Sequence, residues 1–173
     1  TIFEAFMFAA RLRREPGETE AELRAVVERV LSLLELDRLG DAIIGAPNSP
    51  TCISAEALKR VTMGVELVAD PSILFMDEPT SGLDTAGALL VANVARNIAK
   101  SGKTVICTIH QPSRMVLEKF DFMLLLKKGG VSSAPMNLSG EAVVSRLTLA
   151  GALGNTVYFG EIGPASRTLV GYF

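Results

Sequence analysis

Apolar residues in the first part of the chain recur at steps of three and four, which is the spacing of one face of a helix. The pattern predicts a first helix over residues 1–14, and Pro16 breaks it. Thr19 and Glu22 form a capping box that opens a second helix, and we place the C-cap of that helix at Gly40. The chain therefore begins with two amphipathic helices.

A third helix is predicted after a loop over residues 41–52 that is rich in Pro and Gly. Ser54 is a suitable N-cap residue for it. Its apolar face carries Leu58, Val61, Val65 and Val68. Lys59 and Arg60 on this helix have two interpretations, contact with a phosphate or a solvated helix surface, and we favour the surface. The first 70 residues are thus predicted to be all helical.

After residue 71 the pattern changes to short, continuously apolar runs that alternate with helices. The runs predict strands at residues 73–76, 104–109 and 122–126, and the helices lie at residues 87–100 and 115–120. Alternation of this kind is typical of a parallel sheet with helices on both faces. Sites in such sheets lie at the carboxyl ends of the strands.

Composition and charge narrow the class of protein. The chain of 173 residues is 49% apolar and 21% charged, which indicates a folded domain, and its net charge of −2 offers no basic field for nucleic acid or an anionic membrane. Two cysteines, Cys52 and Cys107, and one histidine argue against a zinc site or a bridged secreted fold. No uncharged stretch is long enough to span a bilayer. Because the chain begins at Thr1 rather than Met, we expect a fragment.

Two adjacent carboxylates, Asp77 and Glu78, follow the first apolar strand directly. This is the Walker B arrangement of nucleotide triphosphatases, in which Asp77 would hold Mg²⁺ and Glu78 would act as general base toward water. The alternative is an exposed strand end followed by a turn. The continuation to Ser81 and Asp84, and His110 directly after the next strand, favour the first interpretation.

The runs ILFMDEPTSGLD and TVICTIHQPS resemble the ATP-binding cassette (ABC) family, with Walker B, D-loop and switch histidine in order. The run KRVTMGVEL and the HQPS sequence resemble its G subfamily, in particular the pleiotropic drug resistance transporters. The resemblance implies an α/β fold with a partial RecA-like parallel sheet preceded by a helical subdomain. The helical subdomain is residues 1–70, and the RecA-like portion is residues 71–130 and 156–173.

The resemblance also implies a function and its residues. Glu78 would be the general base, His110 would contact the γ-phosphate, and Asp77 would hold Mg²⁺ beside ATP. The remaining binding residues are Ser54 on the signature helix and Ser81 and Asp84 at the seam with a second, head-to-tail cassette. The module would couple ATP hydrolysis to export through a transmembrane domain at the cytoplasmic face of a membrane, without nucleic acid as a partner.

Three departures from the family qualify this expectation. The signature reads ISAEA where the family has LSGGQ, which resembles the second cassette of pleiotropic drug resistance pumps. No Gly-x-x-x-x-Gly-Lys-Ser/Thr loop and no glutamine loop occur, so the isolated chain is expected to be inactive. Residues 131–155 interrupt two strands that the family joins at a glycine turn. We interpret them as a translated retained intron, and the alternative is a genuine surface loop with a helix at residues 141–149.

Two other functions stay open beside the exporter module. A non-catalytic pairing domain is favoured by the degenerate signature and by the absence of a phosphate loop. A soluble cassette ATPase acting on nucleic acid or ribosomes is disfavoured by the residues PTSG after Glu78 and by the lack of coiled coils. Glu78 discriminates between the exporter module and the pairing domain, because a structural cassette does not need a general base.

Overall fold

The computed structural model describes residues 1–45, 53–128, 154–163 and 167–171, which form two compact units, Thr1–Lys119 and Phe120–Phe173. The first unit contains α1 (Ile2–Arg13), α2 (Glu20–Leu33), a 3-10 helix (Asp37–Leu39), α3 (Ala55–Leu67), β1 (Ile73–Asp77), α4 (Thr85–Lys100), β2 (Thr104–Thr108) and α5 (Arg114–Leu117). The second contains β3 (Phe122–Lys128), β4 (Gly154–Glu161) and α6 (Arg167–Val170). The predicted α/β class with a parallel sheet is confirmed. The units divide after Lys119, whereas our domain boundary at residue 70 stays a prediction.

The start of α2 is as predicted, but its end is not. Thr19 accepts from the backbone N–H of Glu22, and the Glu22 carboxylate accepts from the backbone N–H of Thr19, which completes the capping box. The helix ends at Leu33 rather than near Gly40. Glu35 adopts a left-handed φ of 55°, and the N–H of Leu36 donates to the carbonyl of Leu31 at 2.9 Å. A Schellman motif built on a glutamate therefore terminates α2.

Arg60 is the buried residue that stabilises this helix end. Its side chain is only 6% exposed, so our interpretation of Arg60 as solvated surface was wrong. One guanidinium nitrogen donates to the carbonyls of Leu34 and Glu35, at 3.1 and 2.9 Å. These carbonyls lie at the C-terminus of α2, where the helix dipole attracts a cation. Arg60 therefore ties α3 to the end of α2.

One apolar core joins the helices to the sheet in the first unit. Its buried members come from α1, α2, α3, α4 and β1, and they include Phe6, Val27, Met63, Leu74 and Val94. The predicted helical subdomain therefore shares its core with the sheet. Among the described residues no helix is long and apolar enough to cross a membrane.

The parallel sheet pairs β1 with β2, from Ile73 opposite Thr104 to Asp77 opposite Thr108. Leu74 and Met76 face the core, whereas Ile73 and Phe75 are 46% and 60% exposed. The side chains of β1 thus alternate between the core and solvent, as successive residues of a strand do.

The second unit is built on an antiparallel hairpin. β3 pairs with β4 from Phe122 opposite Glu161 to Lys128 opposite Gly154, with a register shift between Leu125 and Leu126. The predicted insertion at residues 131–155 lies outside the described residues, except for its last two, which belong to β4. The alternative helix at residues 141–149 lies outside them as well.

Candidate functional site at the carboxyl edge of the sheet

The ends of β1 and β2 bring the predicted catalytic residues to one edge of the parallel sheet. β1 ends at Asp77, which pairs with Thr108, the last residue of β2. Glu78 follows Asp77 directly, and His110 follows Thr108 by two residues. The side chains of Asp77, Glu78 and His110 are all exposed, so none of them is enclosed in the core. Their placement follows from the parallel pairing, which puts both carboxyl ends at the same edge.

A single hydroxyl joins the two strand ends. Thr108 Oγ1 donates to Asp77 Oδ1 at 2.6 Å and accepts from the backbone N–H of Glu78 at 2.9 Å. Sequence reasoning missed Thr108, because it treated residues 104–109 as an apolar strand. The signal available was a hydroxyl residue two positions before His110, which a parallel register can place level with Asp77.

The backbone adopts an uncommon conformation shortly after each of the two strands ends. Glu78 has a φ of 45° and Gln111 has a φ of 49°, in the left-handed region that L-residues rarely adopt. Such a conformation costs on the order of 1–3 kcal/mol and persists only where the surroundings hold it. The two positions lie beside Asp77 and His110, so the strain is concentrated at the candidate site. Strain of this kind is common where side chains must be aimed at a ligand.

Ser81 and Asp84 lie in the connection from β1 to α4. The N–H of Ser81 donates to the carbonyl of Glu78 at 3.1 Å, and the side chain of Ser81 is exposed. Asp84 is the N-cap residue of α4, where its carboxylate accepts from the N–H of Gly87 at 2.9 Å. Asp84 therefore has a structural role in this chain, and its position at a seam with a second cassette stays a prediction.

Ser54 occupies the N-cap position of α3, but its hydroxyl does not cap the helix. Instead it donates to the carboxylate of Glu56. A Cβ added at Gly87 would lie 3.6 Å from the Cβ of Glu56, so the first turns of α3 and α4 are adjacent. No hydrogen bond within the described residues joins Ser54 to Asp77, Glu78 or His110. The structure thus connects Asp77 to Glu78 through Thr108, whereas the hydroxyl of Ser54 is bonded to Glu56.

The chemistry of Asp77 fits a magnesium ligand. One of its oxygens is held by Thr108, and the other accepts no hydrogen bond from the described residues. Those residues contain no group of three His, Cys, Asp or Glu side chains that could bind a metal by themselves. Mg²⁺ is commonly held by one or two carboxylates together with substrate phosphates and water. Asp77 therefore fits as a single protein ligand to a nucleotide-bound Mg²⁺.

Cys107 on β2 is close to the edge but is not a candidate nucleophile. Its burial raises the pKa of the thiol to about 11, so the thiol is neutral near pH 7. The thiolate is the reactive form, so this cysteine is inert there. Cys52 lies outside the described residues.

The whole chain aligns with curated members of one transporter family. It is 43% identical over 173 residues to ABC transporter G family member 9 of Dictyostelium discoideum, and 44% identical over the same length to member 14. It is 42% identical over 174 residues to the ABC-type transporter eriD of Hericium erinaceus. Each alignment covers 100% of this chain. Over its whole length the chain is thus similar to a segment of ABC transporter G family members.

Solved structures show that the chain has the fold of ABC cassettes. It matches an ATP-binding cassette of an ABC transporter in its ADP conformation with a TM-score of 0.56 and 22% identity, over 72% of this chain and 50% of that one. A nucleotide-free ATP-binding cassette matches with a TM-score of 0.55 and 21% identity. No family model matches the chain. The chain spans about a tenth of the length of the curated relatives that it matches.

Proposed function

We propose that this chain is part of the ATP-binding and ATP-hydrolysing module of a membrane exporter. The observation that supports the proposal is the exposed edge where Asp77, Glu78 and His110 lie at the ends of two paired strands. A carboxylate pair and an imidazole at such an edge suit the hydrolysis of a nucleotide triphosphate. The module would act at the cytoplasmic face of a membrane, coupled to a transmembrane domain of the same transporter.

Each residue at the edge has its own task in the proposed reaction. Glu78 accepts a proton from the attacking water, and that water forms its new bond to the γ-phosphorus of ATP as the bond to ADP breaks. His110 donates a hydrogen bond to the γ-phosphate and stabilises the charge that develops there. Asp77 holds Mg²⁺, which neutralises phosphate charge when it is bound. No phosphate-binding loop occurs in these 173 residues, so the chain alone is expected to be inactive.

The start of α3 would serve the nucleotide of a second cassette. A helix N-terminus offers free N–H donors and a positive dipole to phosphate oxygens, and Ser54 lies at that position. Ser81 and Asp84 would lie at the seam between the cassettes. Glu56 adds a negative charge where a triphosphate would bind, and this supports a weak second site, as in the second cassette of pleiotropic drug resistance pumps.

One observation favours a second candidate function, a cassette that pairs without hydrolysing ATP. The Ser54 hydroxyl is bonded to Glu56, so it is not available to a phosphate in this conformation. If Ser54 cannot bind a phosphate, α3 would contribute contact area to the pair of cassettes and would not support hydrolysis. This candidate predicts no role for Glu78 in turnover.

ATP turnover by the full-length transporter separates the two functions. Glu78→Gln keeps the size of the side chain but removes the base, so kcat should fall by about 100-fold or more. The matched control is Glu15→Gln, because Glu15 is exposed and its side chain makes no hydrogen bond within the part of the chain that the structure describes. This variant should leave kcat within about twofold of the wild type. If Glu78→Gln and the wild type hydrolyse ATP equally fast, the hydrolytic function is rejected and the pairing function is favoured.

A further inference from the structure

We propose that Thr108 is a positioning residue that holds Asp77 and Glu78 for binding of the nucleotide's metal. The proposal rests on the hydrolytic function above and adds a residue to its site. Thr108 is bonded to both acidic residues at once, through one hydroxyl that donates at 2.6 Å and accepts at 2.9 Å. The two hydrogen bonds use the single donor of the Thr108 hydroxyl and one of its two acceptor positions.

The two bonds have different consequences. The bond to Asp77 Oδ1 restricts the rotation of the carboxylate and leaves Oδ2 without a hydrogen bond from the described residues, so Oδ2 is the oxygen that would bind a metal. The bond from the N–H of Glu78 holds a residue whose φ of 45° is unfavourable for glutamate. Glu78 follows the last paired residue of β1, so the strand ladder does not satisfy this N–H. Thr108 replaces the missing strand partner.

The placement of Thr108 also connects the two strands of the site. Asp77 and Thr108 are the last pair in the β1–β2 register, and His110 lies two residues beyond Thr108. Because the backbone of Thr108 is held in β2, its hydroxyl fixes the Asp77 carboxylate and the backbone of Glu78 relative to that strand. Groups that orient a metal ligand in this way typically change metal affinity or activity by 10–100-fold when they are removed.

The test uses the full-length transporter and two readouts that do not depend on turnover. The first is Mn²⁺ binding in the presence of a non-hydrolysable ATP analogue, measured by electron paramagnetic resonance. The second is hydrogen exchange of the peptide that contains Glu78. Thr108→Val keeps the shape of the side chain but removes the hydroxyl. We expect about a tenfold weaker Mn²⁺ affinity, faster exchange at Glu78, and about a tenfold lower kcat with an ATP KM near that of the wild type.

Two further variants make the result specific to the hydroxyl. Thr108→Ser keeps the hydroxyl and should restore the Mn²⁺ affinity to within about threefold of the wild type. The matched control is Thr104→Val on the same strand, because the Thr104 side chain is exposed and makes no hydrogen bond to any described residue. Its Mn²⁺ affinity and its exchange at Glu78 should not change.

Several outcomes would overturn the proposal. Wild-type Mn²⁺ affinity and exchange in Thr108→Val would do so, and so would a Thr108→Ser variant that is as impaired as Thr108→Val. If Thr108→Val does not fold, Thr108→Ala replaces it, and loss of folding in both makes the residue structural rather than positioning. Failure of the hydrolytic function appears separately, as unchanged turnover in Glu78→Gln, and the Mn²⁺ and exchange measurements still judge Thr108 in that case.

Discussion

Gly64 and Phe6 show how closely two helices approach at the scale of single residues. A Cβ added at Gly64 on α3 would lie 2.0 Å from Cζ of Phe6 on α1. Real Cβ atoms do not approach a neighbour so closely, and the Phe6 ring is fully buried. Overpacking of a core of this kind typically costs 1–3 kcal/mol. The glycine is therefore required by the partner helix and not by a turn.

We predict that Gly64→Ala lowers the free energy of unfolding by about 1–3 kcal/mol, measured by urea unfolding of the purified protein. Gly40→Ala is the matched control, since Gly40 is buried, has a φ of −52° and would place its Cβ 3.5 Å from the nearest atom. The control should leave the free energy of unfolding unchanged or raise it by up to about 1 kcal/mol, because alanine fits this backbone conformation and restricts the unfolded chain. Equal effects in the two variants would contradict the close approach of α1 and α3.

The end of α2 shows at the scale of elements how a distant side chain fixes a helix boundary. Glu35 adopts the left-handed conformation that usually favours glycine. Arg60 donates to the carbonyls of Leu34 and Glu35, so the energy of two charge-assisted hydrogen bonds offsets the backbone strain. Asn97 on α4 also donates to the Glu35 carboxylate, at 3.4 Å. Three helices meet at this one boundary.

Removal of the Arg60 guanidinium should therefore destabilise the fold. We predict a loss of about 2–3 kcal/mol for Arg60→Met, because the buried carbonyl of Leu34 and the partly buried carbonyl of Glu35 lose a charged donor. Lys59→Met is the matched control, since Lys59 is the neighbour of Arg60 and its side chain makes no hydrogen bond in the described structure. This variant should change the free energy of unfolding by about 0.5 kcal/mol or less. Urea midpoints compare the two. A loss in Lys59→Met as large as in Arg60→Met would contradict a specific role for the Arg60 guanidinium.

A second contact between elements links the end of α3 to the start of β2. Lys103 donates to the carboxylate of Asp70, and this bond lowers the pKa of Asp70 below its usual value of 3.8. Positive charge from Arg14 and Arg29 acts in the same direction. A lowered pKa in the folded state means that Asp70 stabilises the protein when it is ionised.

The sign of the pH dependence follows from this shift. The contribution of Asp70 should be complete above about pH 5 and should be lost as the pH falls through the lowered pKa. We predict that the urea midpoint of the wild type exceeds that of Asp70→Asn at neutral pH, and that the two converge below pH 3.8. Lys103→Gln should reduce the same acid dependence, because it removes the largest cause of the lowered pKa of Asp70. A constant difference between wild type and Asp70→Asn across the acid range would refute the prediction.

At the scale of the whole molecule, the hairpin of the second unit bears on whether residues 131–155 belong to the protein. In the observed register Leu126 pairs with Thr156. Joining Gly130 directly to Thr156 would leave residues 127–130 as a four-residue loop, which is a common length for hairpins. The strands therefore do not need residues 131–155 in order to pair, and this supports the retained-intron hypothesis.

Two measurements test the hypothesis for residues 131–155. Sequencing of transcripts should find a major message without these 25 codons. A protein without the segment should keep the β3–β4 hairpin, observed as amide protection of residues 122–126, and should not unfold at a lower temperature. A mature message that always carries the codons, or a loss of protection after the deletion, would favour a genuine loop.

Features that depend on residues close together along the chain were predicted from the sequence, whereas some that depend on distant residues were not. The start of α2 was predicted from Thr19 and Glu22, because a capping box acts within three residues. The end of α2 was not, because it depends on Arg60, which is 25 residues from Glu35. Asp77 and His110 were predicted to lie at one edge from the order of strands. Thr108 was missed because its role depends on the register between strands.

The sequence by itself determined the helices, the parallel strands and the acidic residues that end the first strand, since periodicity, caps and motifs act over short distances along the chain. Only the tertiary structure decided the burial of Arg60, the close contact of Gly64 with Phe6 and the hydroxyl that joins Asp77 to Glu78. Each of these depends on which distant residues share one core or one strand register. That choice is made by packing, which no local pattern encodes.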